Sequence, residues 1–351
     1  MIKINDRLNL ISEYKPSNRI DGDDIKKLDW NECNLTFSNE FQDLLYKSLS
    51  EIKYSQYPDI NNFNLIKKLS HYCGVNTDNV QTFNGSDSAL HYIFATFLNR
   101  DTKVLIYYPN YSQIETYIKL YSDNLNYSNI KNPFTEHHYN FNDIVDNDVI
   151  YISNPNNPTG YCIPTDEIEN ILIQHPEKLF IIDEAYYEFS NKTCSKLTKK
   201  YDNIIVTRTF SKAFSLASIR LGYICADHNL INQINKIRNT KEVNSFAQRL
   251  GEVALDNFNF IDERVKIIIN NREKFQNILT ENGINFVKSD SNFILIKVKD
   301  SKSIIKKLSE QKILVRDRSM FSGLENTIRI TIGDWDDMEK IIKTLIEYEY
   351  K

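Results

Sequence analysis

No run of apolar residues in this chain approaches the roughly 18 needed to cross a bilayer. The opening, Met1-Ile2-Lys3-Ile4-Asn5-Asp6, is too polar for a secretory leader. A soluble, cytoplasmic protein with no membrane partner is the expectation. Cysteine is sparse: Cys33, Cys73, Cys162, Cys194 and Cys225 form no Cys-x-x-Cys pair and have no histidine at ligand spacing. That pattern argues against a metal site or a disulfide framework and predicts free thiols. The six histidines fit no metal or catalytic spacing either. A surplus of one charge is lacking as well, since the formal net charge is −4 with no basic block, so there is no electrostatic footprint for nucleic acid. Internal repeats and low-complexity linkers are absent.

What is present is a chain of 351 residues, 41% hydrophobic and 12% aromatic. That exceeds the usual single core, so two domains are expected. Residues 1–37 read as an amino-terminal arm with part of a small domain, 38–238 as a large domain, and 239–351 as a small α+β domain. The arm begins with an amphipathic stretch from Leu8 to Tyr14 that Pro16 ends. In the large domain, apolar strands (80–83, 104–108, 149–153, 179–183, 203–207, 222–226) interleave with helices (89–98, 112–120, 165–174). Continuous apolar strands between helices predict an α/β fold whose mostly parallel sheet is buried on both faces, with functional loops at the strands' carboxyl ends. Beyond residue 230, helices are expected over 230–238 and 248–283, the latter broken near Asn257. Then come strands at 293–298, 313–316 and 328–332, with helices at 301–311 and 337–348.

Four stretches carry chemistry. In Thr207-Arg208-Thr209-Phe210-Ser211-Lys212, an apolar strand delivers a lysine to a polar loop. A desolvated lysine beside a cation such as Arg220 is a nucleophile towards carbonyls; a strand ending in a solvated Ser-Lys turn is the plainer alternative. Thr209 and Ser211 offer donors for phosphate oxygens. Asn84-Gly85-Ser86-Asp87 lies between a strand and a helix, where free N–H groups favour a phosphate, or where Ser86 or Asp87 merely caps the helix. Asn154-Pro155-Asn156-Asn157-Pro158-Thr159-Gly160 reads as a rigid turn able to hold an amide against a ligand, or as a β-turn and nothing more. Asp183 ends a buried strand, so a cation or strong donor must face it: a protonated pyridine nitrogen or an arginine.

Taken together, Asn157-Pro158-Thr159-Gly160, Asp183-x-x-Tyr186, Ser211-Lys212 and Arg220 resemble the signature set of fold-type I pyridoxal phosphate (PLP) aminotransferases. The resemblance covers nearly the whole chain and is nearest to the histidinol-phosphate aminotransferase group, which includes threonine-phosphate decarboxylase-like enzymes. Tyr57-Pro58-Asp59, Pro109-Asn110-Tyr111, Asn292-Phe293 and Arg329-Ile330-Thr331 support it. It implies that Lys212 forms the Schiff base with PLP and moves the proton, and that Asp183 keeps the pyridine nitrogen protonated. Asn157 and Tyr186 would bond the phenolic oxygen, and Tyr111 would stack on the ring. Gly85, Ser86, Asp87, Thr209, Ser211 and Arg220 would hold the phosphate. Tyr57 would reach it from the neighbouring subunit, making the active unit a homodimer. Tyr14, Asn157, Arg316 and Arg329 would face the substrate; surface ion pairing is the plainer reading of both arginines.

The group's opening loop usually runs Asn-Glu-Asn-Pro-x-Gly-Pro, whereas here it is Asn31-Glu32-Cys33-Asn34-Leu35-Thr36-Phe37, and Ser218 stands where glycine is usual. The altered loop points away from histidinol phosphate itself. The resulting expectation is transfer of an amino group, from L-glutamate, to a small phosphorylated carbonyl compound such as dihydroxyacetone phosphate or imidazole acetol phosphate. Two alternatives are PLP-dependent decarboxylation of a phosphorylated amino acid and a non-catalytic binding protein on the same fold.

Overall fold

A computed structural model describes residues 6–11, 22, 24–130, 132–135 and 139–349. Tyr14 and Pro16 lie outside the described residues. Of the amphipathic stretch expected from Leu8, the structure describes a 3-10 turn over Asp6–Leu10, tied down where Arg7 pairs with Asp123.

After the short strand β1 (Lys26–Lys27) come helices α1 (Asn39–Leu49) and α2 (Phe63–Cys73). The Ser38 side chain accepts from Phe41 N and starts α1. Gly74, at φ 69°, ends α2 in the left-handed cap that glycine favours. The large sheet is laid down by β2 (Val80–Phe83), β3 (Lys103–Tyr108), β4 (Asn124–Asn129), β5 (Val149–Ser153), β6 (Leu179–Asp183), β7 (Ile204–Thr209) and β8 (Gly222–Ala226). Between these strands lie α3 (Gly85–Phe97), α4 (Ser112–Tyr121), α5 (Thr165–Gln174) and the short α6 (Tyr187–Ser190). The strand order is β2-β8-β7-β6-β5-β3-β4. All pairs are parallel except those of β8, which runs antiparallel to β7 and β2.

Every residue of β2, β5, β7 and β8 is buried. Alternate side chains feed two apolar clusters: Ile152, Ile182 and Val206 one, Tyr151, Ile181 and Ile205 the other. Burying both faces is what their continuous apolar character requires, at roughly 1.5–3 kcal/mol for each fully buried large side chain.

The rest comprises α7 (His228–Asn235), α8 (Ser245–Asp256), the 24-residue α9 (Phe258–Glu281), β9 (Phe286–Val287), β10 (Phe293–Lys297), α10 (Ser301–Glu310), β11 (Ile313–Leu314), β12 (Arg316–Asp317), β13 (Thr327–Thr331) and α11 (Trp335–Glu349). Asn257, with φ −120° and ψ 38°, breaks α8 from α9 where the sequence placed the interruption. Strands β12-β13-β10-β9 form an antiparallel sheet, and β1 pairs with β11.

Three expectations are corrected. The helix expected from Ala89 begins at Gly85, and the Asn84 cap makes no side-chain bond; Ser86 and Asp87 are therefore in its first turn and are not caps. The single strand expected at 313–316 is two, one in each smaller sheet. The polar edge strand β4 was not anticipated, because Asn124-Leu125-Asn126-Tyr127-Ser128-Asn129 has too few apolar residues to signal a strand.

Candidate active site

A cavity of about 710 Å3 opens at the carboxyl ends of β5, β6 and β7, bounded by the first turn of α3 and by β12 and β13. Lys212, Asp183, Tyr186, Ser86, Asp87, Tyr111, Asn157, Thr209, Ser211, Arg220, Arg316 and Arg329 all line it. Residues from six separate stretches of sequence thus share one space. Two expected residues do not line it. Gly85 lies behind Arg220, and Tyr57 is 78% exposed, with the Lys241 ammonium 4.1 Å above its ring.

At the floor, Asp183 accepts from Tyr151 Oη at 2.7 Å and from Thr207 Oγ1 at 3.0 Å. Among the described residues no cation pairs with it, and burial pushes its carboxyl up from the ordinary value to about 6. A buried carboxylate without a cation, aimed into a cavity, calls for a positively charged donor from a ligand. The arginine alternative does not apply: Arg208, one residue beyond Thr207, points to the opposite face and pairs with Glu184.

One wall is built for an anion. The α3 amino terminus presents Ser86 and Asp87, and its dipole and free N–H groups favour negative charge. Arg220 Nη1 donates to Ser211 Oγ at 3.4 Å, and Arg220 Nη2 lies 3.4 Å from Asp87 Oδ2. Thr209 Oγ1 accepts from Ser211 N at 3.1 Å and donates to Ser211 Oγ at 3.0 Å, which fixes both hydroxyls. Glycine is needed twice here. A Cβ on Gly85, at φ 83°, would lie 2.7 Å from Arg220 Nη2, and one on Gly222 would meet the Ser86 nitrogen.

Between floor and mouth, Lys212 Nζ donates to the Trp30 carbonyl at 2.9 Å and sits 5.8 Å from the Tyr186 ring centre. Asn31 Nδ2 and Asn157 Nδ2 both donate to Tyr186 Oη, at 3.0 and 3.4 Å. Arg329, 3% exposed, donates to Asn157 Oδ1 and to the Asp29 carbonyl, each at 2.6 Å. Arg316 stands directly opposite Arg329 in the sheet, so both project from one face. Tyr111 Oη donates to Asp87 Oδ1 at 3.4 Å.

The sequence reading missed Arg318, which lies on the same cavity; its period-two spacing from Arg316 was the available signal. It also missed Trp30, whose carbonyl meets Lys212, and Tyr151, hidden in an apolar strand. These groups suit PLP: a lysine to attach it, a lone buried carboxylate for its ring nitrogen, two donors meeting at Tyr186 Oη, and an anion cradle across the cavity. When bound, the cofactor supplies an electron sink for the substrate's α-carbon.

Residues 26–345 match the family aminotransferase class I and II. Among relatives, the histidinol-phosphate aminotransferase of Caldanaerobacter subterraneus subsp. tengcongensis is 33% identical over 325 residues, 92% of each chain. The dihydroxyacetone phosphate transaminase of Campylobacter jejuni is also 33% identical, over 341 residues covering 93% of this chain and 91% of that one. The fold matches the crystal structure of histidinol-phosphate aminotransferase from Sinorhizobium meliloti in complex with pyridoxal-5'-phosphate, with TM-score 0.81 and 21% identity over 92% of this chain and 90% of that one. The family match spans the cavity and nearly all of its walls, and the chain belongs to the class I and II aminotransferases as a PLP-dependent aminotransferase of fold type I.

Proposed function

We propose that this enzyme transfers an amino group from L-glutamate to a small phosphorylated carbonyl compound. The observation that carries the reading is the set of three arginines, Arg316, Arg318 and Arg329, lining the same cavity as the anion cradle. One guanidinium suffices for a donor's carboxylate, held bidentately; the others suit a second, more highly charged group such as phosphate. The relatives named for histidinol phosphate and dihydroxyacetone phosphate support the same class.

In this reading Lys212 anchors the cofactor, and its Nζ takes the proton from the donor's α-carbon. Asp183 holds the proton on the ring nitrogen, while Asn157 and Tyr186 hold the phenolic oxygen. Arg329 fixes the donor carboxylate, with its own fork held by Asn157 and the Asp29 carbonyl. Tyr57 completes the phosphate cradle of a second subunit, so the active unit is a homodimer. Its exposure supports this, as does the exposure of nearby Tyr54, Phe63 and Phe246. The division into residues 1–37, 38–238 and 239–351 belongs to the same proposal, supported by the pairing of β1 with β11. So does a cytoplasmic location, supported by five free cysteines and by the lack, among the described residues, of a helix long and apolar enough to cross a membrane.

Mixing PLP-loaded protein with L-glutamate alone tests the first half of the cycle. One equivalent of 2-oxoglutarate per site and loss of the visible band are expected, followed by recovery with dihydroxyacetone phosphate or imidazole acetol phosphate. An unchanged band with L-glutamate, together with carbon dioxide release from a phosphorylated amino acid, would overturn transamination in favour of decarboxylation.

A further inference from the structure

Two donors grip the Asp183 carboxylate, and they differ in kind. Thr207 stands beside Asp183 in register on β7 and bonds Oδ1. Tyr151 comes from β5, two residues before Ser153, the register partner of Asp183. Its ring is fully buried, 6.4 Å from that of Phe94, and its hydroxyl bonds Asp183, which lines the cavity. A phenol is a stronger donor than an aliphatic hydroxyl, and its 2.7 Å bond to Oδ2 is the shorter of the two. Of the other titratable groups, Asp87 on α3 and Tyr111, whose hydroxyl bonds Asp87, act most on the pair, while Lys212, Tyr186 and Arg220 line the same cavity without bonding it. Neither Asp87 nor Tyr111 supplies a positive charge, so Tyr151 and Thr207 are the side-chain donors that favour the ionised carboxylate. Burial among these groups raises the Tyr151 phenol well above its ordinary value, so it remains a donor throughout the working range.

We infer that Tyr151 is a positioning residue for the reaction, setting how strongly Asp183 holds the proton on the cofactor's ring nitrogen. The inference rests on the PLP reading of the cavity. Donation from Tyr151 stabilises the carboxylate anion, which leaves the shared proton on the nitrogen and the ring electron-poor. Without the hydroxyl, Asp183 becomes more basic and draws that proton towards itself. The ring withdraws less, the nitrogen joined to Lys212 becomes more basic, and removal of the donor's α-proton slows.

The test is Tyr151→Phe, which keeps the buried ring, with Tyr107→Phe as control. Tyr107 is equally buried in the same sheet but bonds the Asn140 carbonyl. Each protein is loaded with PLP and its visible band titrated with pH; the half-reaction with L-glutamate is then timed in a single turnover, with and without deuterium at the α-carbon. For Tyr151→Phe the midpoint should rise by about half a unit, the half-reaction should slow about tenfold, and the isotope effect should grow. This is a fraction of the one to two units that a full charged hydrogen bond would give, since the effect reaches the reporter nitrogen through the ring. The control should match the wild type. An unshifted midpoint and rate in Tyr151→Phe, or an equal shift in both variants, would overturn the inference and leave the PLP reading intact. A wild type that develops no band with added PLP would overturn both.

Discussion

The ion pair beneath the sheet invites a quantitative test. Glu184 follows Asp183, and Arg208 lies between Thr207 and Thr209, but both point away from the cavity; their side chains are 0% and 1% exposed. Arg208 Nη2 lies 2.9 Å from Glu184 Oε2. Thr193 Oγ1 donates to the same oxygen at 2.8 Å and Cys194 N to Oε1 at 2.5 Å, while the guanidinium covers the Tyr187 ring at 3.6 Å. At that separation the attraction is about 6 kcal/mol for an effective dielectric near 20, and the desolvation of two buried ions is of similar size. The pair is thus near neutral as a unit, while either half alone is a buried, uncompensated charge. Arg208→Met and Glu184→Gln should each destabilise by about 3–5 kcal/mol, and the double variant by clearly less than their sum. Unfolding midpoints in urea for the four proteins, all at one protein concentration, give the comparison. Strict additivity would refute the argument, as would a loss below about 1 kcal/mol for Arg208→Met.

Two further outcomes follow from the same geometry. Burial raises Glu188 from the ordinary carboxyl value to about 7 and Asp183 to about 6 in the protein without cofactor. A raised folded-state value means stability that is fully present below about pH 4 and lost as pH climbs through 6 to 7. Glu188→Gln should therefore equal the wild type at pH 4 and exceed it at pH 8, by up to about 3 kcal/mol; a pH-independent difference between the two unfolding curves would count against this. For the subunit exchange of Tyr57, Tyr57→Ala should loosen PLP about tenfold, the loss of roughly one hydrogen bond. Mixed dimers with Lys212→Ala should regain one intact site each, read as recovered transaminase activity; no recovery would place Tyr57 in its own chain's site.

Much of the site was legible because its chemistry sits at strand ends, where an apolar run stops at a residue that cannot be left alone. Asp183 after Leu179-Phe180-Ile181-Ile182 and Lys212 after Ile204-Ile205-Val206 both signal this way. The turn at Asn157 could be read for the same reason, since it is dense in residues that fix backbone geometry. Tyr151 was not legible: within Val149-Ile150-Tyr151-Ile152 a tyrosine reads as one more core residue, and only three-dimensional pairing shows its hydroxyl beneath Asp183. Arg318 gave an ambiguous signal, because Arg316-Asp317-Arg318 also resembles a surface charge run. The register of β12 against β13 is what turns the arginines of one face towards the cavity.

The strand expected to end at Thr207 in fact runs on through the polar Arg208 to Thr209. A polar residue ends a central strand only when burying it is costly, and here each finds a partner on its own face. Alternation sends Thr207 and Thr209 to the cavity side, one to Asp183 and the other to Ser211. It sends Arg208 to the far side, where Glu184 neutralises it. The floor of the cavity and the charged network behind it are therefore two faces of one three-residue segment. A residue slip along β7 would turn Arg208 towards the cavity floor and away from Glu184, leaving both buried charges without their partner. The Glu184–Arg208 pair, near neutral in stability, thus excludes that register and keeps Thr207 beneath Asp183.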